Sequence, residues 1–347
     1  MEKVVIVGGG SWGTALGKVL GEKGFNVNLL VRRSAVAEAI NKENENPFYL
    51  PGVKLPRKLK ALLDPVDAFK SAKLAVWCVP SHALKDAFTQ VRDLASKIEF
   101  HISGIKGIDL ETGVTPFKFL KQNLPKECKV FVLGGPCFAK EIVKRLPAAV
   151  VLAGEDEAFT KKLQETIAYS YFRVYRSTDP VGVEIAGVLK NVIAIASGIC
   201  DGMGLGLNAR AALITRGLIE MVRLGVILGG ELTTFYGLAG MGDLVLTCTG
   251  ALSRNYQVGL KLAQGKKLEE ILNELHQVAE GVKTCKVISE LARKHQVEVP
   301  ICQEVYKVIY EKEDPKEGLK RLLSRELKRE FDEPLLTKQV KSFKIDL

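Results

Sequence analysis

A four-residue apolar run, Val4-Val5-Ile6-Val7, leads directly into Gly8-Gly9-Gly10-Ser11-Trp12-Gly13 and then Thr14-Ala15-Leu16-Gly17-Lys18-Val19-Leu20. No other feature constrains the fold as strongly. Gly8, Gly10 and Gly13 fill the spacing G-x-G-x-x-G, a helical pattern follows over residues 14–22, and a second β-branched run begins at Val27. In a strand–helix–strand unit, the first glycine permits a tight turn and the second lets backbone approach a pyrophosphate. The third lets the helix pack on the strand. The helix start turns unpaired N–H groups and a positive dipole end toward the phosphates. A glycine-rich turn without a ligand is the competing reading, and the flanking strands and helix favour a dinucleotide.

Further β-branched runs occupy residues 27–31, 74–79, 100–102, 130–133 and 148–152, alternating with helical patterns at 34–41, 82–95 and 138–145. Strands buried on both faces and joined by helices predict a doubly wound parallel sheet with ligands at the C-terminal strand ends. The character changes at Thr178-Asp179-Pro180, where Asp179 can cap a helix and Pro180 can occupy its first turn. Helical periodicity then continues over 181–197, 209–224, 253–264, 268–275, 283–295 and 303–310. The expected class is α/β: an N-terminal Rossmann-type doubly wound parallel sheet over residues 1–179, then an all-α C-terminal domain over 180–347. Residues 331–347 have weak periodicity and are expected to lie on the surface or fray.

Composition narrows the function classes. With 47% hydrophobic and 26% charged residues among 347, the chain has ample material for a core and is not globally disordered. Its longest uncharged stretch is the fourteen residues from Val4 to Gly17, short of the roughly 20 apolar residues of a membrane-spanning helix. The first residues carry no basic leader and apolar h-region, so secretory export is not expected. Seven cysteines without a C-x-x-C pair, mostly in apolar runs, read as small buried hydrophobes in a reducing compartment. Four dispersed histidines suggest no metal site, and the cytoplasm is the expected location. The net charge of +10 suits phosphorylated ligands, nucleic acid or an anionic surface. No nucleic-acid-binding module accompanies it, so nucleic acid is not an expected partner.

Candidate site residues cluster near predicted strand ends and in the helical half. About 20 residues past the glycines stand Arg32 and Arg33, with no acidic residue between Gly24 and Ser34. Arginines there suit the 2′-phosphate of NADP(H), which is favoured, with NAD(H) still usable. Ser103-Gly104-Ile105-Lys106-Gly107 puts a lysine in a glycine-rich turn, although a solvent lysine has the same local sequence. Leu133-Gly134-Gly135-Pro136-Cys137-Phe138-Ala139 is a second glycine turn opening a helix. Cys137 has no evident basic partner and reads as packing or a backbone-contact position. In Val188-Leu189-Lys190-Asn191-Val192, two polar residues interrupt a nearly wholly apolar helix. A lysine there either snorkels to water or is buried, with a pKa lowered into the range of a general acid or base. Gly240-Met241-Gly242-Asp243 sets a carboxylate in a glycine turn, suited to holding Lys190 charged and oriented. Ser253-Arg254-Asn255 opens a helix and offers phosphate ligands; a capping serine followed by exposed polar residues is the plainer reading.

In this order, and with Val278-Ala279-Glu280-Gly281 added, the clusters resemble the bacterial-type NAD(P)-dependent glycerol-3-phosphate dehydrogenases from Gly8 to about Leu327. The resemblance implies a Rossmann domain and a helical substrate domain with the active site between them. It puts the acid/base lysine on Lys190 and substrate contacts on Lys106, Gly135, Cys137, Asp243, Ser253, Arg254 and Asn255. Cofactor contacts fall on Ser11, Trp12, Arg32, Arg33, Lys106, Ala139, Arg254, Val278 and Glu280. The implied reaction interconverts dihydroxyacetone phosphate and sn-glycerol 3-phosphate, in cytoplasmic homodimers that supply phospholipid synthesis. Members usually carry Ser or Thr where this chain has Cys137, so a hydroxyl contact becomes a weaker thiol contact. A hydroxy-acid dehydrogenase of similar build and a nucleotide-sensing regulator without catalysis are the alternatives.

Overall fold

The computed structural model describes residues 2–275, 279–327 and 329–330. Among them are ten strands: β1 Lys3–Val7, β2 Asn26–Leu30, β3 Glu45–Asn46, β4 Leu50–Lys54, β5 Leu59–Leu62, β6 Leu74–Trp77, β7 Phe100–Ser103, β8 Lys129–Gly134, β9 Ala148–Ala153 and β10 Phe172–Ser177. Eight form one sheet in the order β10-β9-β8-β7-β6-β1-β2-β5, and β3 and β4 form a separate hairpin. Successive residues of β1 feed opposite faces, as the strand period requires. Val4 and Ile6 pack with Leu16, Leu29 and Phe131, while Val5 and Val7 pack with Trp77, Phe88 and Ile105. Two buried faces explain why the central strands read as continuous apolar runs.

Two strands escape that reading because they are edges. β5 alternates buried Leu59 and Ala61 with exposed Lys60, and β10 exposes Arg173, Tyr175 and Arg176. Charged outward positions protect a sheet edge and dilute the apolar signal. The expectation of a wholly parallel sheet also needs one correction: β8 and β9 pair antiparallel. The helix expected over 138–145 is only Ala139–Ile142. Four residues rise about 6 Å, too little to carry the chain back along about 20 Å of strand, so β9 returns in the opposite direction.

After β10 the described residues contain no further strand. The helix Pro180–Gly202 begins as expected: Asp179 Oδ1 accepts from Gly182 N at 2.7 Å, with proline in the first turn. Asp179 Oδ2 also accepts from Glu231 N and Thr234 Oγ1, which seats the helix Leu232–Tyr236 against this start. The helix is long and apolar enough to cross a membrane, but 94% of its apolar window is buried inside the fold. It is the central post of the helical half. The helix Arg254–Ala263 crosses it backbone to backbone: a Cβ on Gly198 would lie 2.0 Å from the Tyr256 carbonyl oxygen, and one on Gly259 would lie 1.9 Å from that of Ile195. Residues 331–347, expected at the surface, lie outside the described residues.

Candidate active site

Three charged side chains from distant parts of the chain meet where the helical post passes the sheet. Lys190, 4% exposed in the middle of the helix Pro180–Gly202, donates to Asp243 Oδ1 at 2.6 Å and to Thr247 Oγ1 at 2.9 Å. Asp243 is not in an open glycine turn as expected. A π-helical turn, Leu238–Gly242, delivers it as the first residue of the helix Asp243–Thr249. One turn later Thr247 faces the same way, its hydroxyl also donating to the Asp243 carbonyl. Lys106, in the loop after β7, donates to Asp243 Oδ2 at 2.8 Å, Gly135 O at 2.9 Å and Cys137 Sγ at 3.3 Å. Cys137 therefore does have a basic partner, brought to it across 31 residues of chain.

One carboxylate between two ammonium groups decides the protonation states. Burial strips water from Lys190; Asp243 opposes that cost, the Lys106 charge adds to it, and the Lys190 pKa settles at about 8. Burial also disfavours the Lys106 ammonium, but the Asp243 carboxylate outweighs it and holds its pKa above the usual lysine range. The two lysines share one counter-ion and move in opposite directions: the Lys106 charge weighs against a second ammonium at Lys190, and Lys106 has the further contacts to Gly135 and Cys137. Burial would raise the Asp243 carboxyl, and the two lysines overcome it and keep it ionised. Burial pushes the Cys137 thiol up, so it is present as the thiol.

The remaining predicted residues fall on two sides of this centre. On the helical side, Ser253 Oγ caps the helix Arg254–Ala263 by accepting from Tyr256 N at 3.2 Å. Asn255 donates to Asn191 Oδ1 at 2.8 Å and accepts from Gly281 N at 3.0 Å, while Asn191 donates to the Lys106 carbonyl. Asn255 thus ties the active-site loop to the helix Glu280–Lys294, and Arg254 beside it is exposed. Glu280 reaches the sheet half, accepting from Ser81 N at 3.1 Å and Ser81 Oγ at 2.8 Å. On the sheet side, Gly8 turns at φ +113°, and a Cβ on Gly13 would lie 2.0 Å from the Gly8 oxygen. A Cβ on Gly10 would meet nothing within 4 Å, so the loop presents an open backbone face at the start of the helix Ser11–Lys23. The buried Trp12 Nε1 has no hydrogen-bond partner, and a Cβ on Gly104, two residues before Lys106, would lie 2.8 Å from it. An open glycine cradle and an orphaned indole N–H beside the lysine loop fit a bound dinucleotide. Arg32 and Arg33 stand exposed past the end of β2, and Ala139 opens its short helix; Val278 lies outside the described residues.

Two family descriptions match this chain: the NAD-dependent glycerol-3-phosphate dehydrogenase N-terminus over residues 3–160 and the corresponding C-terminus over residues 179–320. The chain belongs to the NAD-dependent glycerol-3-phosphate dehydrogenase family. It is 46% identical over 329 residues to the glycerol-3-phosphate dehydrogenase [NAD(P)+] of Syntrophobacter fumaroxidans, covering 94% of this chain and 97% of that one. The Leptospira biflexa enzyme of the same description is 46% identical over 331 residues, covering 94% and 99%. The crystal structure of glycerol-3-phosphate dehydrogenase from Coxiella burnetii superposes with a TM-score of 0.88 at 38% identity, covering 93% of this chain and 99% of that chain. This chain is accordingly an NAD(P)-dependent glycerol-3-phosphate dehydrogenase, an oxidoreductase whose substrate is glycerol 3-phosphate.

Within this dehydrogenase the sequence reading missed Thr247, Asn191 as a tether, and the Ser81–Glu280 contact. Thr247 was detectable as the hydroxyl four residues after Asp243 once that segment is read as helical. The other two depend on contacts across 85 and 199 residues and carry no local signal.

Proposed function

We propose that Lys190 is the acid/base of a hydride transfer interconverting dihydroxyacetone phosphate and sn-glycerol 3-phosphate. The count of N–H groups supports this choice between the two lysines. A lysine ammonium has three donors. Lys106 spends all three, on Asp243, Gly135 and Cys137, whereas Lys190 spends two, on Asp243 and Thr247, among the described residues. Its third N–H is left for the substrate oxygen. A nicotinamide dinucleotide, when bound, is the source or acceptor of the hydride. In reduction Lys190 gives a proton to the ketone oxygen; in oxidation the neutral amine takes the hydroxyl proton. Asp243 and Thr247 hold Nζ in place, and the net positive charge of the Lys106–Asp243–Lys190 group favours developing negative charge on oxygen.

The substrate phosphate is assigned to Arg254 and the capped helix start at Ser253, with Asn255 fixing that segment. Gly8, Gly10, Ser11, Trp12 and Gly13 hold the pyrophosphate side of the cofactor. Arg32 and Arg33, with no acid between Gly24 and Ser34, favour NADP(H), with NAD(H) accepted. Residues 1–179 act as the dinucleotide domain and 180–347 as the substrate domain, in a cytoplasmic homodimer that supplies glycerol phosphate for phospholipid synthesis.

Lys190→Ala is expected to lower turnover about 10²–10⁴-fold while NADPH binding is retained. Steady-state rates and a fluorescence titration of NADPH measure the two; near-normal turnover would remove Lys190 from the mechanism. Dihydroxyacetone should not replace its phosphate ester as substrate.

A further inference from the structure

The Arg33 guanidinium carbon lies 4.9 Å from the centroid of the Phe48 ring and 5.2 Å from that of Tyr49. Both rings belong to the turn that joins β3 to β4, and Phe48 is 47% exposed. That hairpin is fastened to the glycine loop. Asn46, wholly buried, donates to Gly9 O at 3.1 Å and to Thr14 Oγ1 at 2.8 Å, and Ser11 Oγ donates to Tyr49 O at 3.2 Å. The rings therefore hold a set position relative to the phosphate loop, and Arg33 is held by the rings. No carboxylate among the described residues forms an ion pair with Arg33, so its N–H edge is not spent on an internal acid. Arg32 beside it is exposed and stacks on no ring among the described residues.

A guanidinium binds a ring through its face and a phosphate through its edge, so the two uses are compatible. An exposed arginine otherwise loses side-chain entropy when it binds an anion, and prior stacking removes part of that loss. We propose that Phe48, with Tyr49, is a specificity-determining positioning residue that holds Arg33 edge-on to the 2′-phosphate of NADP(H). This rests on the NADP(H) reading of Arg32 and Arg33 and adds the element that makes one of them effective.

The test is calorimetric titration of the full-length enzyme with 2′,5′-ADP and 5′-ADP, beside NADPH and NADH. Phe48→Ala should weaken 2′,5′-ADP and NADPH about two- to fivefold, the range of an exposed cation–π contact, and change 5′-ADP and NADH by less than twofold. Phe48→Trp should restore the preference. Equal weakening of all four ligands, or no change in any, overturns the proposal. The parent reading fails separately: if the unsubstituted enzyme shows no preference for 2′,5′-ADP and Arg33→Ala creates no change, the NADP(H) assignment falls. If Arg33→Ala abolishes a preference that Phe48→Ala leaves intact, only the role of Phe48 falls.

Discussion

Lys190 and Lys106 illustrate how mutual charge and partner count distinguish identical side chains that share one carboxylate. Lys106 is held charged with every donor occupied, while Lys190 titrates at about 8 with one N–H left over. The sign of the pH dependence follows. With Lys190 in the proposed acid/base role, oxidation of glycerol 3-phosphate uses the neutral amine, so its kcat/KM should rise with pH through about 8. Reduction needs the ammonium and should fall over the same range. Asp243→Asn removes the carboxylate that supports the Lys190 ammonium, so both limbs should move to lower pH and turnover should drop. Profiles in both directions, for the parent and the variant, check this; limbs that stay in place would assign the titration to another group.

Elements are held in register here by glycine where two helices cross. Gly→Ala inside an ordinary helix is stabilising by about 1 kcal/mol. At Gly259 the added Cβ would sit 1.9 Å from the Ile195 carbonyl oxygen, a backbone atom with no room to rotate away. Overpacking of this kind costs about 1–3 kcal/mol, so the sign should reverse. Gly259→Ala is expected to destabilise in urea unfolding. It should also lower kcat, because the same crossing seats Asn255 on Asn191, the residue after Lys190. A variant as stable and active as the parent would show that the helices can separate freely. The same logic makes the start of the helix Asp243–Thr249 decisive, since the π-helical turn before it aims Asp243 inward.

At the scale of the molecule, buried carboxyls join its parts. Glu184, on the central helix, accepts from Ser103 Oγ at 3.3 Å and Phe117 N at 2.9 Å, both in the sheet half. Glu220 accepts from Ile301 N at 2.7 Å and Cys302 N at 3.1 Å, in the first turn of the helix Pro300–Tyr306. Burial raises their pKa values from 4.5 to about 8 and about 7, against the lowering effect of these hydrogen bonds. Between those limits the folded chain keeps protons that the unfolded chain has released, so stability should fall as pH rises. Each group contributes a slope on the order of 1 kcal/mol per pH unit. His101, lowered from 6.5 to about 4, and Lys190, lowered from 10.5 to about 8, act in the opposite sense below about 6.5 and above about 8, so the falling slope belongs to the interval between them. Thermal or urea unfolding from about pH 6.5 to about 8 should therefore show a falling slope that Glu184→Gln and Glu220→Gln each reduce; unchanged slopes would show that these carboxyls ionise normally in the fold.

The parts whose physics is local were legible in the order of residues alone. The βαβ unit at Gly8-x-Gly10-x-x-Gly13, the change to helical periodicity at Asp179-Pro180, and the oddity of Lys190 within an apolar helix all follow from spacing and side-chain type over a few residues. The edge strands β5 and β10 were invisible because half their positions face water, and β9 reversed direction because the helix before it is too short. Packing settled the rest: which lysine keeps an N–H without a partner among the described residues, that Lys106 lies against Cys137, and that Phe48 and Tyr49 carry Arg33. Partner identity, and the desolvation that shifts a pKa, depend on distance through space, which residues far apart in the chain acquire only when packing brings them together.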